Sequence, residues 1–92
     1  MKKGEFLAIL RIANNMTKTE LANKCNCSVA HMTNMESGHK DISMKMYEKL
    51  SSIFKIKVSK ILALQEEAIE NEWDYKKTLY EILKEYEKDN LE

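Results

Sequence analysis

Proline is absent from this chain, and glycine occurs only at Gly4 and Gly38. Tight β-hairpins draw on Gly, Asn-Gly and Asp-Gly turns, so a hairpin-built sheet has almost nothing to turn on here. Helix formers fill the intervals and apolar residues recur at helical spacing, which makes the expected fold class all-α. A length of 92 residues leaves room for one core with at most one appended element. Apolar residues make up 43% and charged residues 33%, a globular balance, too apolar for a disordered tail and too charged for a membrane protein. No run approaches the roughly 18 apolar residues of a membrane span. The stretch 6–12 is interrupted by Arg11 and lacks a small-residue cleavage site, so it does not read as a signal peptide. The expected address is the cytoplasm, with no membrane partner.

Local signals set the helices. Phe6, Leu10 and Ala13 share a face of a first helix over 3–14, widened by Leu7 and Ile9 and ended by Asn14 and Asn15. Thr17 and Glu20 form a capping-box pattern that opens a short helix over 18–24, with Leu21, Ala22 and Cys25 facing inward. Asn26 stands where the chain needs left-handed geometry. Ser28 caps a third helix over 28–36, whose buried stripe is Met32 and Met35, and Gly38 stops it. Ser43 caps a fourth helix over 44–54, with Met44, Tyr47, Leu50 and Phe54 on one side. Residues 55–58 read as a connector, Ser59 as the cap of a fifth helix carrying Ile61, Leu62 and Leu64, and Asn71 as the start of a last helix running to about residue 90. The sequence leaves open whether the fifth and sixth helices are separate or one bent rod.

Net charge is zero, but its distribution is uneven. Residues 1–65 carry eleven Lys or Arg against five acids, a net +6, while residues 66–92 carry four Lys against ten acids, a net −6. A basic body suits a polyanion, because each neutralised phosphate releases counterions. Fourteen of the fifteen Lys and Arg are lysines, a usage that fits an A/T-rich genome.

Two short helices joined by a turn of about three residues, in a basic body, form a helix-turn-helix arrangement. The segment 16–38, MTKTELANKCNCSVAHMTNMESG, resembles the Cro/phage-repressor (xenobiotic-response-element type) helix-turn-helix family. The likeness lies in Glu20-Leu21-Ala22, an apolar residue at 25, a turn residue at 26, Ser28 at the cap, apolar residues at 32 and 35, and Glu36 and Gly38 at the close. Arg11 also sits where the family often has an arginine. The resemblance covers about residues 4–65, whereas 69–92 match nothing in it. It implies a five-helix, lambda-repressor-like helix-turn-helix domain over 1–68, with an additional C-terminal helix over 69–92 for packing or dimerisation. It also implies a transcriptional regulator of repressor type that binds double-stranded DNA as a homodimer and is not an enzyme.

Carried over position by position, the base-reading residues are Ser28, Val29, Ala30, Thr33 and Asn34, and the phosphate contacts are Lys18, Thr19, Ser37, His39 and Lys40. Arg11 and Glu36 are expected to pair as a structural clasp, since a guanidinium meets a carboxylate through two parallel bonds. The third helix holds no arginine, so the commonest guanine contact is missing. Asn34 suits adenine, and Val29 and Ala30 suit thymine methyl groups, so the expected operator is A/T-rich and read partly by shape. Apolar residues at two reading positions also fit a different use of the scaffold, an antitoxin-like or regulator-binding protein-interaction module.

The last helix carries Tyr75, Leu79, Ile82 and Tyr86 at spacings of four, three and four, a heptad-like stripe that Leu83 broadens, with Trp73 and Tyr80 on a flank. This surface can pack on the chain's own body, pair two copies, or dock an antirepressor or other protein partner. Cys25, Cys27, His31 and His39 invite a zinc reading. The Cys-x-Cys spacing is tighter than usual for zinc, however, and Cys25 turns toward the core, so no metal or other cofactor is expected. His31 has no visible acid–base partner and reads as semi-exposed and non-catalytic. No nucleophile–base pair, phosphate loop or paired-carboxylate site is visible.

Overall fold

The computed structural model describes residues 1–90, and their side chains through residue 88. Six helices account for the order of the chain: α1 (Lys3–Ala13), α2 (Lys18–Lys24), α3 (Val29–Ser37), α4 (Met44–Phe54), α5 (Val58–Glu70) and α6 (Tyr75–Asn90). No strand occurs among the described residues. The fold is thus all-α, a five-helix helix-turn-helix body with an extra helix.

Each early boundary has a local cause. The Thr17 hydroxyl accepts from Glu20 N at 3.1 Å, and the Glu20 carboxylate accepts from Thr17 N at 3.0 Å. These bonds to Thr17, the backbone one first, hold the Glu20 carboxyl below its ordinary pKa. Ser28 Oγ accepts from His31 N at 3.0 Å, and Ser43 Oγ from Met46 N at 3.1 Å. Gly38 ends α3 at φ 87, where any residue with a Cβ is strained, and Asn26 turns the chain between α2 and α3 at φ 57.

Two later boundaries differ from expectation. Ser59 does not cap α5, which begins at Val58 after Lys57, without a side-chain cap. The left-handed residue Lys55, at φ 56, ends α4 at Phe54 as expected, and the connector keeps only residues 55–57, Val58 belonging to α5. Nor does Asn71 start α6. Asn71 is the C-cap of α5, and its side chain donates to Glu67 O at 3.1 Å. Glu72 then turns left-handed at φ 51, and Asp74 becomes the cap, its Oδ1 accepting from Lys77 N at 2.8 Å. α5 and α6 are therefore two helices broken at 71–74.

A single core joins all six helices. Phe6, Leu7 and Leu10 of α1 meet Leu21, Met32, Met35, Leu50, Phe54 and Ile61, all nearly or fully buried. Ile82 of α6 is fully buried in the same cluster. The expected boundary at residue 68 falls inside α5, where Ala68 is fully buried in the same cluster. α1 lies centrally, packed on α3, α5 and α6, while α2 packs on α3 and α4 on α5. Inside, the Tyr47 hydroxyl donates to Gln65 Oε1 at 2.8 Å, which satisfies two buried polar groups at once.

Candidate nucleic-acid interface

Met32 and Met35 point α3 inward and thereby fix which face points out. That outer face carries Ser28, Val29, Ala30 and Asn34, all exposed, with Thr33 half-buried at its edge. Val29 is 41% exposed, an apolar side chain presented to water on this face. Among the described residues the Asn34 carboxamide has no intrachain hydrogen-bond partner, whereas its backbone carbonyl accepts from Lys40 N at 3.0 Å and from Ser37 Oγ at 3.3 Å. Ser37 Oγ also shares a 2.7 Å hydrogen bond with His39 Nδ1. These bonds fold the segment 37–40 back against the end of α3, and they bring Ser37, His39 and Lys40 to the surface together. Lys18 is half-buried and Thr19 exposed at the start of α2.

The only acid in α3 is Glu36, and it is tied down. Arg11 Nε donates to Glu36 Oε2 at 2.7 Å and Arg11 Nη2 to Glu36 Oε1 at 3.1 Å, while Nη1 donates to Met16 O at 2.9 Å. One side chain thus grips the last turn of α3 and the loop before α2. The exposed face of α3 is left without a free anion, as a surface approaching phosphate requires.

Two residues that matter here carry no short-range sequence signal. Lys49 of α4 donates from Nζ to Cys25 O at 2.8 Å and pins the end of α2 where the turn begins. Its partner is 24 positions away, so spacing could not have indicated it. Gly4 of α1 is buried against the backbone of Met35 and Glu36. Its negative φ gives no outward sign of that approach.

Of the five residues expected on a dimer or partner surface, three are spent on the chain's own body. Ile82 is fully buried, Leu79 packs against the core, and the Tyr86 hydroxyl donates to Phe54 O at 2.9 Å. The reason is register: the 75–79–82–86 stripe of α6, with Thr78 beside it, is the face that lies on α1 and α5. Tyr75 stays half-exposed at the mouth of a groove with Ile12 and Trp73, and Leu83 is exposed.

The cysteines divide by burial. Cys25 is fully buried and Cys27 half-buried. Burial pushes the Cys25 thiol up to about 11, with a smaller push from Cys27 and an opposing pull from Lys49. A thiol reagent near neutral pH is expected to modify Cys27 alone in the native chain and both cysteines after unfolding. Adduct counting by mass spectrometry checks this, and equal rates at both in the native chain would show that the α2–α3 turn opens. Among the described residues no three His, Cys, Asp or Glu side chains cluster as a metal site.

The geometry defines a helix-turn-helix unit whose second helix turns Ser28, Val29, Ala30 and Asn34 to solvent. The helix-turn-helix family model matches residues 7–61. The chain belongs to the Cro/phage-repressor type of helix-turn-helix family, a family of DNA-binding regulators that are not generally enzymes. Neither the curated proteins nor the solved structures contain a significant match to it. Among the described residues no helix is long and apolar enough to cross a membrane.

Proposed function

We propose that this chain is a sequence-specific transcriptional regulator of bacterial or phage type. α3 enters the major groove, and two copies act on an A/T-rich operator as a repressor. The observation that carries the reading is the outer face of α3: Ser28, Val29, Ala30 and Asn34 stand clear of the body, with no unpaired acid among them. In this arrangement Asn34 reads adenine, Val29 and Ala30 take thymine methyl groups, and Lys18, Thr19, Ser37, His39 and Lys40 hold phosphates on either side. Two half-sites about 34 Å apart then need two copies. Having no enzymatic step to offer, the bound protein acts by occupying DNA.

Fluorescence anisotropy with A/T-rich duplexes across a salt series tests this, after selection of bound sequences from a random pool. Affinity is expected to fall linearly on a log–log salt plot. Lys18→Ala and Lys40→Ala are each expected to flatten the slope by about one while weakening all duplexes alike. Asn34→Ala is expected to cost about 1–3 kcal/mol and to relax selection at one base pair. Absent or salt-indifferent binding overturns the reading. It would leave the protein-interaction module, which the exposure of Val29 favours, as the use of this face.

A further inference from the structure

α6 carries a second heptad stripe, displaced by one residue from the one that packs on the body. Lys76, Tyr80, Leu83 and Glu87 follow the same four-three-four spacing, and at 100° per residue they fall within an arc of about 60°. All four are exposed, Tyr80 at 60% and Leu83 at 44%. The inner stripe packs on the body through Leu79, Ile82 and Tyr86, while the outer one puts two large apolar side chains into water between two opposite charges.

We propose that this outer stripe is the contact between two copies of the chain, with α6 running antiparallel to α6 of its twin. The stripe is self-complementary under a two-fold axis. Residues 80 and 83 are equidistant from its midpoint, as are 76 and 87, so Tyr80 meets the partner's Leu83 and Lys76 meets the partner's Glu87, each pair occurring twice. A parallel arrangement would set Lys76 against Lys76 and Glu87 against Glu87, and like charges in register repel.

The neighbouring charges support the choice. Glu81 is held by Lys77 at 3.1 Å and Lys84 at 3.3 Å, and Glu85 by Lys60 at 3.5 Å and Lys88 at 3.7 Å. The Lys77 and Lys84 bonds hold the Glu81 carboxyl below its ordinary pKa, and both acids on this flank are matched within the chain. Lys84 also lies over the Tyr80 ring, 5.3 Å from its centroid, and shields the flank of that side chain on the α5 side. Among the described residues, Lys76 and Glu87 are left without an intrachain ion pair, and they are the two that the two-fold axis brings together. The proposal deepens the dimeric regulator reading and rests on it for its use, since it names the surface that sets two α3 helices at a fixed spacing.

Sedimentation equilibrium of the full chain tests the seam without DNA. A contact this small lies below the standard interface class, so the expected dissociation constant is on the order of 10–100 µM. Leu83→Asp is expected to weaken pairing at least tenfold with an unchanged melting temperature, because Leu83 is exposed in the single chain. Lys76→Glu and Glu87→Lys are each expected to weaken it about tenfold, and combining them to restore it within about threefold. A chain that stays monomeric to about 1 mM, or a dimer indifferent to Leu83→Asp and Lys76→Glu, overturns the proposal. Failure of the double exchange to restore pairing overturns the antiparallel register. Binding of the parent chain to a single half-site duplex separates the two readings: if it binds DNA but does not pair, the DNA reading stands alone, and if it pairs through this stripe but does not bind DNA, the seam does.

Discussion

Gly4→Ala is expected to destabilise the protein by about 3 kcal/mol, although alanine is the better helix former. In an open helix the exchange would gain about 0.5–1 kcal/mol, because glycine gives up more backbone freedom on folding. Here a Cβ would collide with the carbonyl oxygens of Met35 and Glu36 and lie 2.7 Å from the Glu36 carbonyl carbon. Those are backbone atoms in the last turn of α3, which cannot rotate aside as a long side chain could. α1 would have to withdraw from α3, loosening Phe6, Leu7 and Leu10 from Met32 and Met35 across the centre of the core. Overpacking of this kind costs about 1–3 kcal/mol and more where nothing can yield. For a domain of this size each kcal/mol lowers Tm by about 4–8 °C, so a fall of roughly 15 °C is expected in a circular-dichroism melt. An unchanged or raised Tm would show that α1 and α3 do not approach as closely as described.

What could be read in the sequence is what short-range chemistry decides. Thr17 with Glu20, Ser28, Ser43 and Gly38 each mark a helix end through bonds or dihedrals within four residues, and the observed ends follow. The α5–α6 junction was less legible because Asn71 and Asp74 are both good caps. The choice fell to Glu72, whose left-handed turn nothing in its residue type foretells. Met32 and Met35 announced the inner face of α3, and the exposure of Ser28, Val29, Ala30 and Asn34 follows from helical geometry. On α6 the apolar stripe was visible, but periodicity cannot say whether such a face meets its own body or a twin. The burial of Ile82 and Thr78 and the bond from Tyr86 to Phe54 commit it to the body. Gly4 and Lys49 were silent because their partners lie far along the chain.

Arg11→Ala carries the other large effect, an expected loss of about 3–5 kcal/mol, the range for breaking a buried ion pair from one side. The Arg11 and Glu36 side chains are only 12% and 6% exposed, so the carboxylate left behind has little access to water. The variant would also strand the Met16 carbonyl, which accepts from Arg11 Nη1 at 2.9 Å. Thermal melts of three proteins separate the stranded charge from the lost contact: the parent, Arg11→Ala, and the double variant Arg11→Met/Glu36→Leu. Replacing both ions with apolar groups of similar volume is often neutral or stabilising, so the double variant is expected to recover most of the loss. If Arg11→Ala melts within a degree or so of the parent, the pair is no clasp. Recovered stability need not restore DNA binding, however. Glu36 lies in the turn of α3 whose backbone Gly4 meets, and the two contacts together set the angle at which α3 leaves α1. A double variant that is stable yet binds DNA more weakly than the parent would place the role of the ion pair in aiming α3, beyond its contribution to the fold.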